Sequence, residues 1–338
     1  MVKYVIKRLF YMLLVLGILS LLIYLVYNLI PVDKAADMAM QEIAANKNLI
    51  YAERYLYWQR RYGLDGNIFV RYLRWLGLAP FYSGAYQGLL QGHFGTSIAQ
   101  GKPVLEVLKE PMANTLFLNS LSTLLSLSIT LPLGVFCAEK RGSKRDGAVQ
   151  VLTIIGYSMP AFIVAILFIW LFSIQLNIFP VSGMGSVGKD YTGFRALLDR
   201  LYHFALPLIV MSFCSLGGMT RYVRASMIEA LSLDCIRTAR AQGLPKRLVR
   251  AHAFRNALIP VLSLVVGWLL SVFSGSIMIE NVFGIQGVGK VYFEALSQKD
   301  NEVALAMQMF YVALALVGNL ITDVAYGLVD PRIRVHER

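Results

Sequence analysis

A chain of 338 residues that is 57% hydrophobic and only 15% charged departs from soluble proteins, for which about 45–50% and about 25% are usual. So apolar a chain buries more than ordering costs, which excludes disorder, and Cys137, Cys214 and Cys235 all fall in or beside apolar runs, which excludes a disulfide scaffold. The remaining class is an all-α integral membrane protein, in which the net charge of +12 reads as loop bias rather than as a nucleic-acid footprint.

A bilayer core about 30 Å thick takes roughly 20 apolar residues in helix. Six segments approach that: about Leu9–Ile30, Thr115–Ala138, Val149–Ile174, Phe204–Thr220, Leu258–Ile279 and Ala304–Leu328. The first is longer than a signal-peptide core and lacks a small-residue cleavage site, so it is expected to be retained. The fourth is short and ends at Gly217-Gly218. With the N-terminus inside, short inner segments carry 18 Lys and Arg against five in the two short outer loops. Both termini are therefore expected on the cytoplasmic side.

The loop from Pro31 to about Met112 is too long for a structureless connection. Apolar and aromatic residues recur through Tyr51–Trp58 and Phe69–Leu76, so short helices are expected there, forming a small cap on the outer face. No internal repeat or low-complexity tract is visible.

Two glycine clusters imitate nucleotide sites. Gly183-Met-Gly-Ser-Val-Gly188-Lys189 and Gly284-Ile-Gln-Gly-Val-Gly289-Lys290 come close to a P-loop, but Asp190 and Val291 stand where Ser or Thr must hold magnesium. Tight turns in re-entrant or loop structure are the expected role. The four histidines show no metal spacing, and no nucleophile–base arrangement can be argued, so the chain is not expected to be an enzyme. The spans hold almost no ionisable groups. Asp323 lies near one span end, four residues after Asn319 on the same helix face, and Glu280 lies at an outer boundary. A proton- or sodium-driven transporter or a channel would need more.

Pro132, Pro160, Pro207 and Pro260 fall within spans, where each frees a carbonyl that only neighbours or a cavity can satisfy. Gly267, Ser271 and Gly275, spaced four apart, form a small-residue stripe. Ser158, Pro160, Gly267, Ser271 and Gly275 are open to two readings, close packing or lining of a pathway.

The most informative stretch is Met227–Pro260. It reads as helix, break at Gly243-Leu244-Pro245, then helix. Its charges keep it out of lipid, since Arg or Lys costs about 2.5–3.5 kcal/mol at mid-bilayer. It is either an interfacial helix on anionic lipid or a docking element for a cytoplasmic partner.

This stretch resembles the signature of permease subunits of binding-protein-dependent ABC importers, in particular the dipeptide/oligopeptide/nickel branch. The matching run is Asp234-Cys-Ile-Arg-Thr-Ala-Arg-Ala-Gln-Gly-Leu244, with Ile259-Pro260 as the closing pair. Cys235 replaces a tyrosine usual there. Further matches are Tyr4–Leu9, Gly92-His-Phe-Gly-Thr-Ser97 with Pro103-Val104, Tyr157-Ser-Met-Pro160, Phe179–Gly183, Glu280-Asn-Val-Phe-Gly284 and Asp330-Pro-Arg-Ile-Arg334. The long first loop resembles the B-type subunit, although Ile30-Pro31-Val32-Asp33 departs from its usual pattern and residues 79–88 look inserted.

The resemblance implies a type I importer permease fold of six transmembrane helices with a helical outer cap between spans 1 and 2. Residues 1–30 would be the first span, 31–112 the cap loop, 113–328 the permease core, 221–256 its cytoplasmic coupling segment and 329–338 a cytoplasmic tail. It implies a cytoplasmic, or inner, membrane of a bacterium or archaeon, and four kinds of partner: a homologous C-type permease, two cytoplasmic ATPase domains, an extracytoplasmic solute-binding protein and membrane lipid. Glu229, Asp234, Arg237, Thr238, Ala239, Arg240, Gly243 and Leu244 would contact the ATPase, which supplies ATP and magnesium; this chain would hold no cofactor, metal or nucleic acid. The cargo would be di- or oligopeptides, with nickel or a metallophore chelate as the alternative.

Overall fold

The computed structural model describes residues 2–31, 33–189 and 191–329; the side chains of residues 2–5, 259, 263 and 322–329 lie outside the description. The expectations for Asp323, for the Asp330–Arg334 motif and for the 329–338 tail fall on residues outside it. The described chain is helical, with one isolated bridge, Thr96 to Pro103. It divides into two compact units, Met1–Lys109 with Val291–Val317, and Glu110–Lys290 with Gly318–Arg338.

The first unit opens with α1 (Val2–Leu29), whose stretch Ile6–Leu29 is long and apolar enough to cross a membrane. Its large apolar side chains stay exposed over most of its length. Three short helices follow, α2 (Lys34–Ala45), α3 (Tyr51–Arg61) and α4 (Ile68–Leu76). The sequence leads to the last two and misses α2. Its signal is the Asp33 N-cap, whose carboxylate accepts the N–H groups of Ala35 and Ala36 at 3.1 Å each. Asn67 caps α4 through the Val70 N–H at 2.9 Å. Tyr24 of α1 is buried against the rings of Tyr72 and Trp75, 5.5 and 5.3 Å away, which fixes α4 on α1. Arg54 grips Glu42 with two hydrogen bonds, so α2 and α3 are tied together. The guanidinium also holds the Glu42 carboxyl below its ordinary range.

The second unit is built on α5 (Val104–Glu139), α6 (Lys144–Ser158), α7 (Ala161–Phe168), α8 (Gly193–Ser232), α9 (Asp234–Ala241), α10 (Lys246–Ser271) and α11 (Ile277–Val282). After it come α12 (Val288–Ser297) and α13 (Asn301–Val329). Among the described residues four helices are long and apolar enough to span a membrane, in α1, α5, α8 and α13; counting two bent pairs as spans makes six.

The bends and the helix ends correct three expectations. Val149–Ile174 is not one straight span: α6 and the run Ala161–Gln175 meet at 106°. Pro160 forces the corner, because the residue before a proline is driven out of the helical region, and Met159 is extended at φ −85°, ψ 136°. The fourth span does not end at Gly217-Gly218 but continues through a 40-residue helix. Gly217 is there for a crossing: a Cβ on it would run into the Thr153 carbonyl and the Tyr157 side chain of α6. Leu258–Ile279 is likewise not one span. α10 ends at Ser271, and residues 272–276 turn away from its axis before α11. Pro260 also bends α10 by 51°.

Candidate functional site

The stretch after α8 folds as an elbow. Leu233, at φ −62°, ψ 144°, breaks the helix, and α9 restarts at Asp234 with an acidic residue in its first turn and Arg240 in its last, as the helix dipole favours. Ile236 is the buried face of α9, 1% exposed, against Met227, Ala230, Val249 and Ala253. Burying that side chain contributes about 2 kcal/mol. The helix closes in a Schellman turn: the Gly243 N–H bonds the Arg240 carbonyl at 3.0 Å and the Leu244 N–H bonds the Ala239 carbonyl at 3.2 Å. Gly243 takes φ 76°, as that turn demands.

The opposite face of α9 is bare. Asp234 and Arg237 pair at 3.3 Å with side chains 95% and 70% exposed, so the pair adds little stability of its own. Arg240 is exposed beside them, as are Leu233 and Leu248. Asp234, Arg237, Thr238, Ala239, Arg240, Gly243 and Leu244 thus share one short helix and its turn. Glu229 does not join them; it lies exposed on the last turns of α8, where its carbonyl accepts the Ser232 hydroxyl at 2.6 Å. The elbow is braced from within the unit. Arg224 holds Asp146 at 2.7 and 2.8 Å, Asp146 also accepts the Gly142 N–H at 3.0 Å, and Arg250 reaches Glu139 at 3.7 Å. The sequence alone does not reveal that brace, since Arg224 and Asp146 lie 78 residues apart.

A cleft of about 610 Å³ opens among α5, α6, α8 and α10. Its walls are largely apolar, but Asn119, Ser122, Ser126, Ser215, Ser271 and Ser274 are among the polar groups that line it, and among the described residues no charged side chain does. Ser126 and Ser215 bond hydroxyl to hydroxyl at 2.8 Å. Asn119 donates to the carbonyls of Val272 and Ser274 at 2.9 and 2.7 Å, while its own Oδ1 is buried with no partner. Such groups both donate to and accept from amides.

Of the five residues left open between packing and lining, the structure brings only Ser271 to the cleft. The stripe does not exist as a unit. Gly267 faces open space, and Gly275 sits past the helix end against the backbone of Gly289. Ser158 is exposed beside Tyr157, which does line the cleft, and Pro160 makes the corner. The missed signal is on α5. Thr115, Asn119, Ser122, Ser126 and Thr130 recur at helical spacing, and all are buried.

Both glycine clusters are filled by the chain's own carboxylates. Asp199 accepts the Ser186 N–H at 2.8 Å and its hydroxyl at 2.6 Å. Glu280 is fully buried and accepts the Lys290 N–H and the Thr115 hydroxyl at 2.9 Å and the Ser276 N–H at 3.3 Å. Burial pushes the Glu280 carboxyl above its ordinary range even though these donors pull it down. A Cβ on Gly287 or Gly289 would lie 2.6 or 3.0 Å from its oxygens. The backbone that imitates a phosphate cradle therefore holds a carboxyl group of the chain itself.

Comparison with known proteins agrees with this geometry. Residues 130–335 match the family model described as binding-protein-dependent transport system inner membrane component, and residues 1–119 match the N-terminal region of such membrane components. The oligopeptide transport system permease protein AppB of Bacillus subtilis is 34% identical over 335 residues, 98% of this chain and 99% of its own. The di/tripeptide transport system permease protein DppB of Pseudomonas aeruginosa is 34% identical, and the dipeptide transport system permease protein DppB of Escherichia coli 32% identical, each over 337 residues and 94% of both chains. Full-length similarity at this level, on a helical fold with a braced elbow and an uncharged cleft, makes the chain a member of the binding-protein-dependent transport system inner membrane component family, the multi-pass membrane permeases of ABC importers, which are not themselves enzymes.

Proposed function

We propose that the chain forms half of the translocation pathway for di- or oligopeptides in an ATP-driven importer. The observation that carries this reading is the cleft whose apolar walls, Met211, Leu264 and Trp268 among them, are interrupted by hydroxyl and amide groups and by no charged side chain. A peptide presents a repeating amide with side chains of any charge. A neutral lining of donors and acceptors serves the part common to all peptides, whereas a fixed charge would hold some and reject others. Relatives named for peptide, dipeptide and oligopeptide transport favour that cargo over nickel or a metallophore chelate.

In this reading the two bent pairs complete a set of six spans with both termini cytoplasmic, and residues 31–112 form the outer cap. The elbow from Asp234 to Leu244 is the coupling element. Its exposed face sits in a groove of an ATPase subunit, and the buried Ile236 and the Arg224–Asp146 brace carry its displacement into α8 and α6. ATP and magnesium belong to two ATPase domains, a homologous permease supplies the other half of the pathway, and a solute-binding protein delivers the peptide. Closure of the ATPases drives the cleft from inward-open to outward-open.

The test is reconstitution with these partners in vesicles. ATP-driven uptake of a labelled tripeptide, dependent on the binding protein, is expected; uptake of nickel or a chelate without peptide would overturn the cargo. Topology is checked separately with Lys144→Cys and Lys189→Cys. A membrane-impermeant thiol reagent applied outside cells should label position 189 alone, and labelling at 144 would reverse the orientation.

A further inference from the structure

The first unit contains a larger cleft, about 1480 Å³, lined by α3, by the 81–83 turn and by the Gly92–Thr96 loop. It is unlike the neutral cleft of the second unit, because ionic and aromatic groups surround it. Most of those charges are engaged. Lys34 pairs with Glu302 at 2.9 Å, Asp33 accepts the Tyr55 hydroxyl at 3.0 Å, Arg71 donates to Asn28 at 2.7 Å and Arg61 donates to the Tyr57 hydroxyl at 3.1 Å.

Two charges are not engaged. Glu53 and Arg60 both line the cleft, both are exposed, and neither has an ion-pair partner among the described residues. The Arg60 guanidinium lies 4.7 Å from the centre of the Tyr82 ring, which orients it while leaving its N–H donors open. Tyr82 belongs to the 79–88 stretch that looks inserted, so that stretch builds one wall of the cleft.

The spacing of the two charges is informative. Glu53, Tyr57 and Arg60 stand at i, i+4 and i+7 on α3, hence on one face. Seven residues at 1.5 Å each set the two Cα positions about 10 Å apart along the axis. An extended peptide advances about 3.3–3.6 Å per residue, so its ends are about 10 Å apart at three residues. The reach of the two side chains accommodates a fourth.

We propose that this cleft is a binding site for a short peptide with free ends, three to four residues long, its ammonium group on Glu53 and its carboxylate on Arg60. An acid facing the amine and a planar guanidinium facing the carboxylate is the pairing each end prefers. The proposal rests on the peptide-importer reading and adds a station and a length preference to it. The terminal charges are read in this cleft, and the neutral cleft reads the amide chain.

The experiment uses the full chain in lipid nanodiscs, without binding protein, and measures the binding of unlabelled trialanine and of its end-capped forms by titration calorimetry. Free trialanine is expected to bind about tenfold more tightly than its N-acetylated or C-amidated form. Glu53→Gln should remove the penalty for acetylation alone, and Arg60→Gln the penalty for amidation alone. Both positions are exposed, so neither change disturbs a core. Equal binding of free and capped peptides, or indifference to both substitutions, would overturn the assignment. So would a loss in Arg60→Gln of affinity for the binding protein with no change for peptide, because the cleft would then be a protein-docking surface. Uptake by the wild-type complex in vesicles keeps the two readings apart: uptake with no end-group discrimination removes only the cleft site, and absence of any peptide uptake removes the importer reading beneath it.

Discussion

Gly243→Val is expected to abolish peptide uptake and to release the ATPase subunits, while every helix of the chain remains inserted. No atom lies within 4 Å of the position a Cβ would take at Gly243, so the substitution causes no clash. Its whole effect is on the backbone. A β-branched residue at φ 76° is strained by about 1–2 kcal/mol, and the cheapest relief is to open the turn. Opening it breaks the Gly243–Arg240 and Leu244–Ala239 hydrogen bonds and swings α9 off the patch that buries Ile236. The exposed face is then no longer presented at a fixed angle. Gly243→Asn is the control, because asparagine tolerates the left-handed region; it should retain most of the uptake. Arg237→Glu attacks the same surface through charge, leaving the turn intact. Its defect should be deeper at low salt, since exposed charges are screened as ionic strength rises. Co-purification of the ATPase subunits with each variant, alongside vesicle uptake, decides. Normal assembly and uptake in both Gly243→Val and Arg237→Glu would make the elbow a surface helix without a docking role.

The second large effect is expected at Glu280. Glu280→Ala removes the acceptor for the N–H groups of Lys290 and Ser276 and for the Thr115 hydroxyl, which meet around a fully buried side chain. Stranding buried donors around an emptied site costs about 3–5 kcal/mol. The segment from Ser276 to Lys290 should loosen, and with it the Ser274 edge of the neutral cleft, so both melting temperature and uptake fall. Glu280→Gln should be much milder, because burial already favours the uncharged acid and the amide has its shape. The pH dependence follows the same sign. The carboxyl is raised in the folded chain from its ordinary 4.5, so its linked stabilisation is fully present below that value and is lost as pH rises through the raised one. Wild-type melting should therefore decline over that window, while Glu280→Gln stays flat. A pH profile unchanged by Glu280→Gln, or wild-type stability in Glu280→Ala, would show that the carboxylate does not organise this segment.

What the sequence by itself determines is local. The apolar runs of α1, α5 and α13 exceed the bilayer length on composition alone. Helix, break and helix around Gly243-Leu244-Pro245 follow from a glycine that ends one helix and a proline that starts the next. The corner at Met159-Pro160 is also local, yet a hydropathy window passes over it because both arms are apolar. The tertiary structure decides everything that depends on a distant partner. Gly217 looks like a helix end until α6 crosses it, and Glu280 looks like a boundary residue until Thr115, 165 positions earlier, donates to it. The buried polar row from Thr115 to Thr130 was legible as a helical period, but serine and threonine are ordinary in a membrane span. Only the partner 89 residues away, Ser215 against Ser126, and the cleft shared with Asn119 and Ser122 show that the middle of the row faces a cleft and not lipid. Gly267, Ser271 and Gly275 erred in the opposite direction: their spacing of four assumed a helix that ends at Ser271. Periodicity reports which residues share a face while the helix lasts. Which neighbour that face meets is set by packing, and no local pattern encodes it.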